Sequence, residues 1–254
     1  WAVISLFPLA WMFYTSFCDS DDIIKLPPKL IAGDHTWKNY ANLFENSNMP
    51  WWFLNSLIVA GSITFAQLLF DSMAGFVFAK RRFPFSRTLF WVILATMMIP
   101  SQVITVPLYI LLNELGQIKP IIDTLWAVIL PGLAGPFGIF FFKQYIASIP
   151  SELEEAARID GCSDWGIYRH VIVPLSKPAM ATIGIFLFTA NWNAFLWPLI
   201  VLNNADHYTL TVGLSTLKEK FAQDYGLIMA GAAVSAVPMI IIFLLFQRYF
   251  IKGL

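Results

Sequence analysis

Long apolar runs alternate with short polar segments along this chain. A membrane-crossing helix needs about 20 mostly apolar residues. The pattern predicts six such stretches, at 1–18, 53–79, 88–112, 124–142, 178–205 and 225–247. A signal peptide would account for the first at most. The second carries one charge, Asp71, and the next three carry none. Helical spacing puts Gln67, Thr64, Gly75 and Ala60 on the Asp71 face, with Leu69, Phe70, Met73 and Phe76 opposite and apolar enough for lipid. Asp71 is therefore expected to face a protein interior, where it needs a hydrogen-bonded partner or neutralisation. Prolines interrupt several runs: Pro100, Pro107, Pro131, Pro136, Pro198 and Pro238. Each removes a backbone donor and kinks a helix. Membranes tolerate such breaks where neighbours or water satisfy the freed carbonyls. The run from Pro131 to Gly138 is the strongest case for a pathway that moves, against ordinary bundle packing.

The polar segment 147–177 has a different character. Ser151 followed by Glu154 reads as a capping box, and Gly161 as a helix stop. Ala, Leu and Glu between them favour helix. Ser163 can start a second short helix, with Trp165, Tyr168, Val171 and Ile172 on one apolar face and Pro174 ending it. Glu152, Glu154, Glu155, Asp160 and Asp164 argue against a helix pair lying on an anionic leaflet, so a docking element is expected. The segment Asn203–Asp224 reads as a polar loop on the opposite side.

Composition narrows the class. Apolar residues make up 58% and charged residues 13%, against about a quarter charged in soluble domains. Mean hydropathy is +0.67. An ordinary soluble enzyme, a disordered chain and a nucleic-acid binder with a basic face are excluded. Net charge is zero, so the placement of charge matters more than its sum. Of the 16 Lys and Arg, ten fall in the segments 80–87, 143–177 and 248–252. The other six are Lys25, Lys29, Lys38, Lys119, Lys218 and Lys220. The positive-inside rule places the set of ten in the cytoplasm, with both termini there. Cys18 and Cys162 then lie on opposite sides and do not pair. His35, His170 and His207 lack metal-ligand spacing. No G-x-x-x-x-G-K-[ST], H-E-x-x-H, G-x-S-x-G or C-x-x-C occurs, so no ATP site, metal, cofactor or catalysis is expected in this chain.

Glu155-Ala156-Ala157, then Gly161, then Val171 and Val173-Pro174 follow the signature E-A-A-x3-G-x9-I-x-L-P, with Val replacing Ile and Leu. On this motif the chain resembles the membrane subunits of binding-protein-dependent ABC importers. Asn39-Tyr40, Asn55-Ser56, Arg82-Phe83-Pro84, Trp192-Asn193, Phe195-Leu196-Trp197-Pro198-Leu199, Gly213-Leu214 and Gln247-Arg248-Tyr249-Phe250 resemble the carbohydrate-uptake branch, of the maltose-permease G type. Ala194 stands where that branch commonly has Asp. The resemblance implies an all-α polytopic membrane protein, a six-span type I importer permease in one domain over 1–254, with a cytoplasmic coupling loop at 147–177. The first residue is not Met, and the family continues past Gly253-Leu254, so a longer natural chain is expected.

The implied partners are a second permease, two ABC ATPase subunits that bind ATP and Mg, an extracytoplasmic solute-binding protein and membrane lipid, with no nucleic acid. The implied setting is a bacterial or archaeal cytoplasmic membrane. Coupling to the ATPase is expected of Glu154, Glu155, Ala156, Ala157, Asp160, Gly161, Trp165, Tyr168, Val171 and Pro174. Contact with the binding protein is expected of Tyr208, Thr209, Thr211, Gly213, Leu214 and Ser215. A pathway or gate role falls to Asp71, Asn191, Asn193 and Trp197. The alternatives are a stand-alone secondary transporter or channel, and an intramembrane enzyme. The former needs intramembrane charges or repeats, of which the chain offers one acid.

Overall fold

The computed structural model describes residues 2–20, 23, 35–116, 121–221 and 224–252. Lys25, Lys29, Lys119 and the Gly253-Leu254 pair lie outside the described residues. All regular elements among the described residues are helical. Three helices there are long and apolar enough to cross a membrane: Met49–Lys80, Leu125–Ala147 and Tyr225–Phe246. Two bent pairs bring the number to five if each is one span. The apolar helix at the start, Ala2–Thr15, is shorter and contains Pro8.

Several predicted stretches are broken where proline dictates. The run 88–112 is not one continuous helix but two, Ser86–Thr96 and Ser101–Leu115, bent by 99°. Pro100 sits between them in an extended conformation, φ −58° and ψ 132°. Its ring disfavours helix at the residue before it, and it has no N–H to continue the ladder. The run 124–142 is a helix Leu125–Ile129, a tight turn Leu130–Gly132 and a restart at Pro136 that continues to Ala147, past the expected end. The run 178–205 ends early. Helix Lys177–Trp192 stops, and a separate short helix, Leu196–Val201, follows. Pro198 would clash with the carbonyl of Ala194 in a continuous helix. The segment after Asn203 is not a loop but a turn at Ala205–His207 and a helix Leu210–Lys220. Leu210, Val212, Gly213 and Leu217 are its buried residues, while Thr211, Ser215 and Thr216 are half-buried and Lys218, Glu219 and Lys220 are exposed.

The described helices divide into two compact units. The first comprises 1–58, 123–125 and 193–242. Trp52 donates its indole N–H to the Ala205 carbonyl at 2.7 Å, and Asn55 donates to the carbonyls of Asp206 and Tyr208 at 2.8 and 3.0 Å. Gly213 lies flush against the Trp52 ring, where a Cβ would overlap the indole. The second unit comprises 59–122, 126–192 and 243–254. Its core joins Phe76, Phe142, Ile146, Ile149, Ala157, Ile167, Tyr168, Ile172, Ile183 and Leu187. Gly75 lets two helices approach closely, since a Cβ there would come 2.6 Å from the Phe142 Cβ. Leu69 and Phe70 are exposed, as the pattern predicts, but Phe76 is buried and packs on the Tyr168 ring. At that level the segment after Ile149 packs over the helix end and covers the face that is open higher up. Neither Cys18 nor Cys162 is in a disulfide.

Candidate functional site

The polar segment 147–177 folds as two short helices packed on the second unit's core. The first runs Glu152–Ile159. The expected capping box does not form. Ser151 has helical φ and ψ and makes no side-chain cap, and its carbonyl takes the N–H groups of Glu154 and Glu155 instead. Glu154 is drawn inward by stronger partners, Arg81 at 2.9 Å and Lys80 at 3.2 Å. The helix stop at Gly161 forms as expected. Gly161 has φ +82°, its N–H meets the Arg158 carbonyl at 3.0 Å, and the Cys162 N–H meets the Ala157 carbonyl at 2.9 Å. These two bonds make a Schellman closure.

Ser163 caps the second helix, accepting the Gly166 N–H at 3.2 Å. Tyr168 is buried and shares a hydrogen bond of 2.7 Å with Ser72 of the long helix. Trp165 is not an anchor in a core: it is 54% exposed and stacks on Tyr168 at 5.4 Å. Ile167, overlooked in the sequence pattern, takes the buried place with Ile172, while Val171 is half-buried. Residues 168–172 form a π-turn, with the Val173 N–H reaching back to the Tyr168 carbonyl. That widened turn shifts the buried stripe. Pro174 does not end the helix, which continues to Leu175 before a 77° bend into Lys177–Trp192.

The motif residues part company. Glu154 and Ala157 turn inward, while Glu155, Ala156, Asp160 and Gly161 are exposed. Leu153 and Ile159, 44% and 87% exposed, complete an apolar strip with Ala156, flanked by Glu152, Glu155 and Asp160. Such a face is small at its centre and acidic at its margins.

Asp71 is fully buried and accepts the Gly135 N–H at 3.0 Å. Its other oxygen fills the space beside Gly138, where a Cβ would overlap it. Ala60, Thr64 and Gly75 are buried on the same side of the helix. The expected interior position and partner are both found. Asn191 instead bonds the Leu187 carbonyl of its own helix at 2.7 Å, and Asn193 and Trp197 belong to the other unit. In that unit Thr209 and Gly213 are buried by their own chain and offer no surface to a partner. Tyr208, Thr211, Leu214 and Ser215 are half-buried, with Thr211 donating to the Ala194 carbonyl at 2.6 Å.

Asp123 is a feature the pattern of apolar runs did not single out. It holds φ +63° and accepts the N–H groups of Asn203 and Asn204 at 2.7 and 2.8 Å, with His207 at 3.5 Å. Partial burial would raise its carboxyl, but the Asn204 and Asn203 N–H groups and His207 outweigh that and hold it below its ordinary value. No group of three His, Cys, Asp or Glu suited to a metal occurs among the described residues.

The arabino-oligosaccharide transport permease of Halalkalibacterium halodurans is 38% identical over all of this chain and 90% of its own length. The lactose transport permease of Rhizobium radiobacter is 33% identical over all of this chain and 90% of its own length. The fold matches a chain of a bacterial ABC transporter that imports alginate, with TM-score 0.86 at 22% identity over 98% of this chain and 92% of the other. Residues 72–254 match the binding-protein-dependent transport system inner membrane component, and with relatives of this identity and coverage the chain belongs to that family.

Proposed function

We propose that this chain is the permease subunit of an ATP-driven importer for a sugar or sugar-like solute. It forms half of the pathway beside a second permease, crosses the membrane six times and keeps both termini in the cytoplasm. Two ATPase subunits, which bind ATP and Mg, dock under the loop 147–177, and a solute-binding protein delivers cargo from outside. The observation that carries this reading is the exposed strip of Leu153, Ala156 and Ile159, closed by the Gly161 turn. An apolar strip with a small residue at its centre fits an ATPase cleft. Glu155 and Asp160 at its margins can meet bases there. The relatives point to oligosaccharides, disaccharides and glycerol phosphate as the solutes to try first.

Purification in mild detergent should recover the chain with an ATPase, and the reconstituted complex should take up solute only with ATP and the binding protein. Recovery without any ATPase, with uptake driven by an ion gradient, would favour the secondary-transporter reading instead.

A further inference from the structure

Glu154 stands in the middle of the docking helix yet faces away from the docking strip. It is 5% exposed. Burying a carboxylate is costly unless its charge is matched. Here Lys80 and Arg81, at the end of the long helix Met49–Lys80, supply the match at 3.2 and 2.9 Å. Lys80 also donates to the Ile149 carbonyl, just before the docking helix begins. Arg81 is forked. One nitrogen meets Glu154 of the first helix, and the other meets Asp164 of the second at 3.1 Å. Arg158 closes the set on Asp164 at 2.7 Å, and the Arg81 guanidinium lies 4.6 Å over the Phe76 ring. One guanidinium thus ties both short helices to the long one. The Ser72–Tyr168 bond is a second tie between the same elements.

We propose that Glu154 is a positioning residue, which with Lys80 and Arg81 clamps both loop helices to the end of Met49–Lys80 so that they move as one body. A displacement of the docking strip then reaches the long helix directly. Asp71 lies nine residues before Lys80, about 14 Å along that helix, and holds Gly135 at the break before Pro136. The clamp therefore links the docking face to the broken segment through one rigid helix. This inference rests on the importer reading above.

The test uses the complete complex in lipid nanodiscs, reading the ratio of binding-protein-stimulated to basal ATP hydrolysis. The importer reading is checked first, in the unaltered complex: no stimulation there would overturn that reading and this one together. Glu154→Gln and Arg81→Gln should each lower the ratio about fivefold or more while the ATPase still co-purifies. The double Gln variant should be no worse than the poorer single one, as for two halves of one contact. Arg81→Lys keeps the charge but not the fork, so it should retain the contact with Glu154, lose the tie to Asp164 and keep only part of the coupling. An unchanged ratio in Glu154→Gln, or losses that simply add, would overturn the clamp. Loss of the ATPase from Glu154→Gln but not from Arg81→Gln would place Glu154 on the ATPase instead and overturn it as well. If Glu154→Gln fails to assemble, Asp164→Asn decides, since Arg81 meets Asp164 through its other nitrogen: a lowered ratio in an assembled complex supports the clamp, and an unchanged one overturns it.

Discussion

Single residues here are constrained in different ways, and substitutions separate them. Gly161 has φ +82° and no atom within 4 Å of where a methyl would sit, so Gly161→Ala should cost only backbone strain, about 1 kcal/mol. Gly138→Ala meets no such strain but would drive a methyl into the Asp71 carboxylate, and overpacking of that kind costs about 1–3 kcal/mol. Thermal unfolding of the purified complex should rank Gly138→Ala as the more damaging. Asp71→Asn keeps an oxygen to accept the Gly135 N–H, so assembly and transport rate should survive. Slowed transport in a fully assembled Asp71→Asn complex would assign the carboxylate a gating role. Asp123 gives a pH dependence. Its carboxyl is held below the unfolded value of about 3.9. The stability it contributes is therefore complete above that value and lost as pH falls through the lower folded one. Unfolding scans below about pH 5 should show this acid loss. In Asp123→Asn the loss should be smaller, and an unchanged acid limb would show that the two amide bonds do not matter.

At the scale of elements, two serines in similar sequence contexts behave differently. Ser163 accepts the Gly166 N–H, so Ser163→Ala should destabilise the second loop helix by about 0.5–2 kcal/mol. Ser151 caps nothing, so Ser151→Ala should be close to silent by the same thermal measurement. The contrast also marks how far the sequence could be read. The Ser163 cap and the Gly161 stop depend on residues within four positions, and both were legible. The orientation of Glu154 depends on Lys80 and Arg81, more than 70 residues away, and no local pattern could announce it. The apolar runs located the three long helices. The 99° bend at Pro100 and the early end at Trp192 were visible only as prolines, whose effect a neighbouring helix can either absorb or express. Pro107 and Pro238 show the other outcome, since both lie inside continuous helices. The helix Leu210–Lys220 was hidden because its four buried residues are interspersed among polar ones, and a count of polar residues ignores the helical turn.

For the whole molecule, charge placement predicts the arrangement across the membrane, and the two cysteines make it measurable. Ten of 16 Lys and Arg lie in the segments assigned to the cytoplasm, four of them at Lys80, Arg81, Arg82 and Arg87. The clamp places Lys80 and Arg81 against Glu154, so the helix end and the docking loop lie on the same side. Cys162 sits in that loop, half-buried beside Gly161. Cys18 is 1% exposed and at the end of the first apolar run. A membrane-impermeant maleimide should therefore label Cys162 in inside-out vesicles stripped of ATPase, and leave it unlabelled in sealed right-side-out cells. Cys18 should resist the reagent from either side until the protein is denatured. Cys162→Ser is the control, because it should abolish the native signal altogether. Docked ATPase subunits should also protect Cys162, since it adjoins the turn that closes the docking strip. Labelling of Cys162 from outside intact cells would reverse the orientation and with it the placement of the ATPase. Equal labelling with and without the ATPase would leave the orientation standing but move the docking surface away from Gly161.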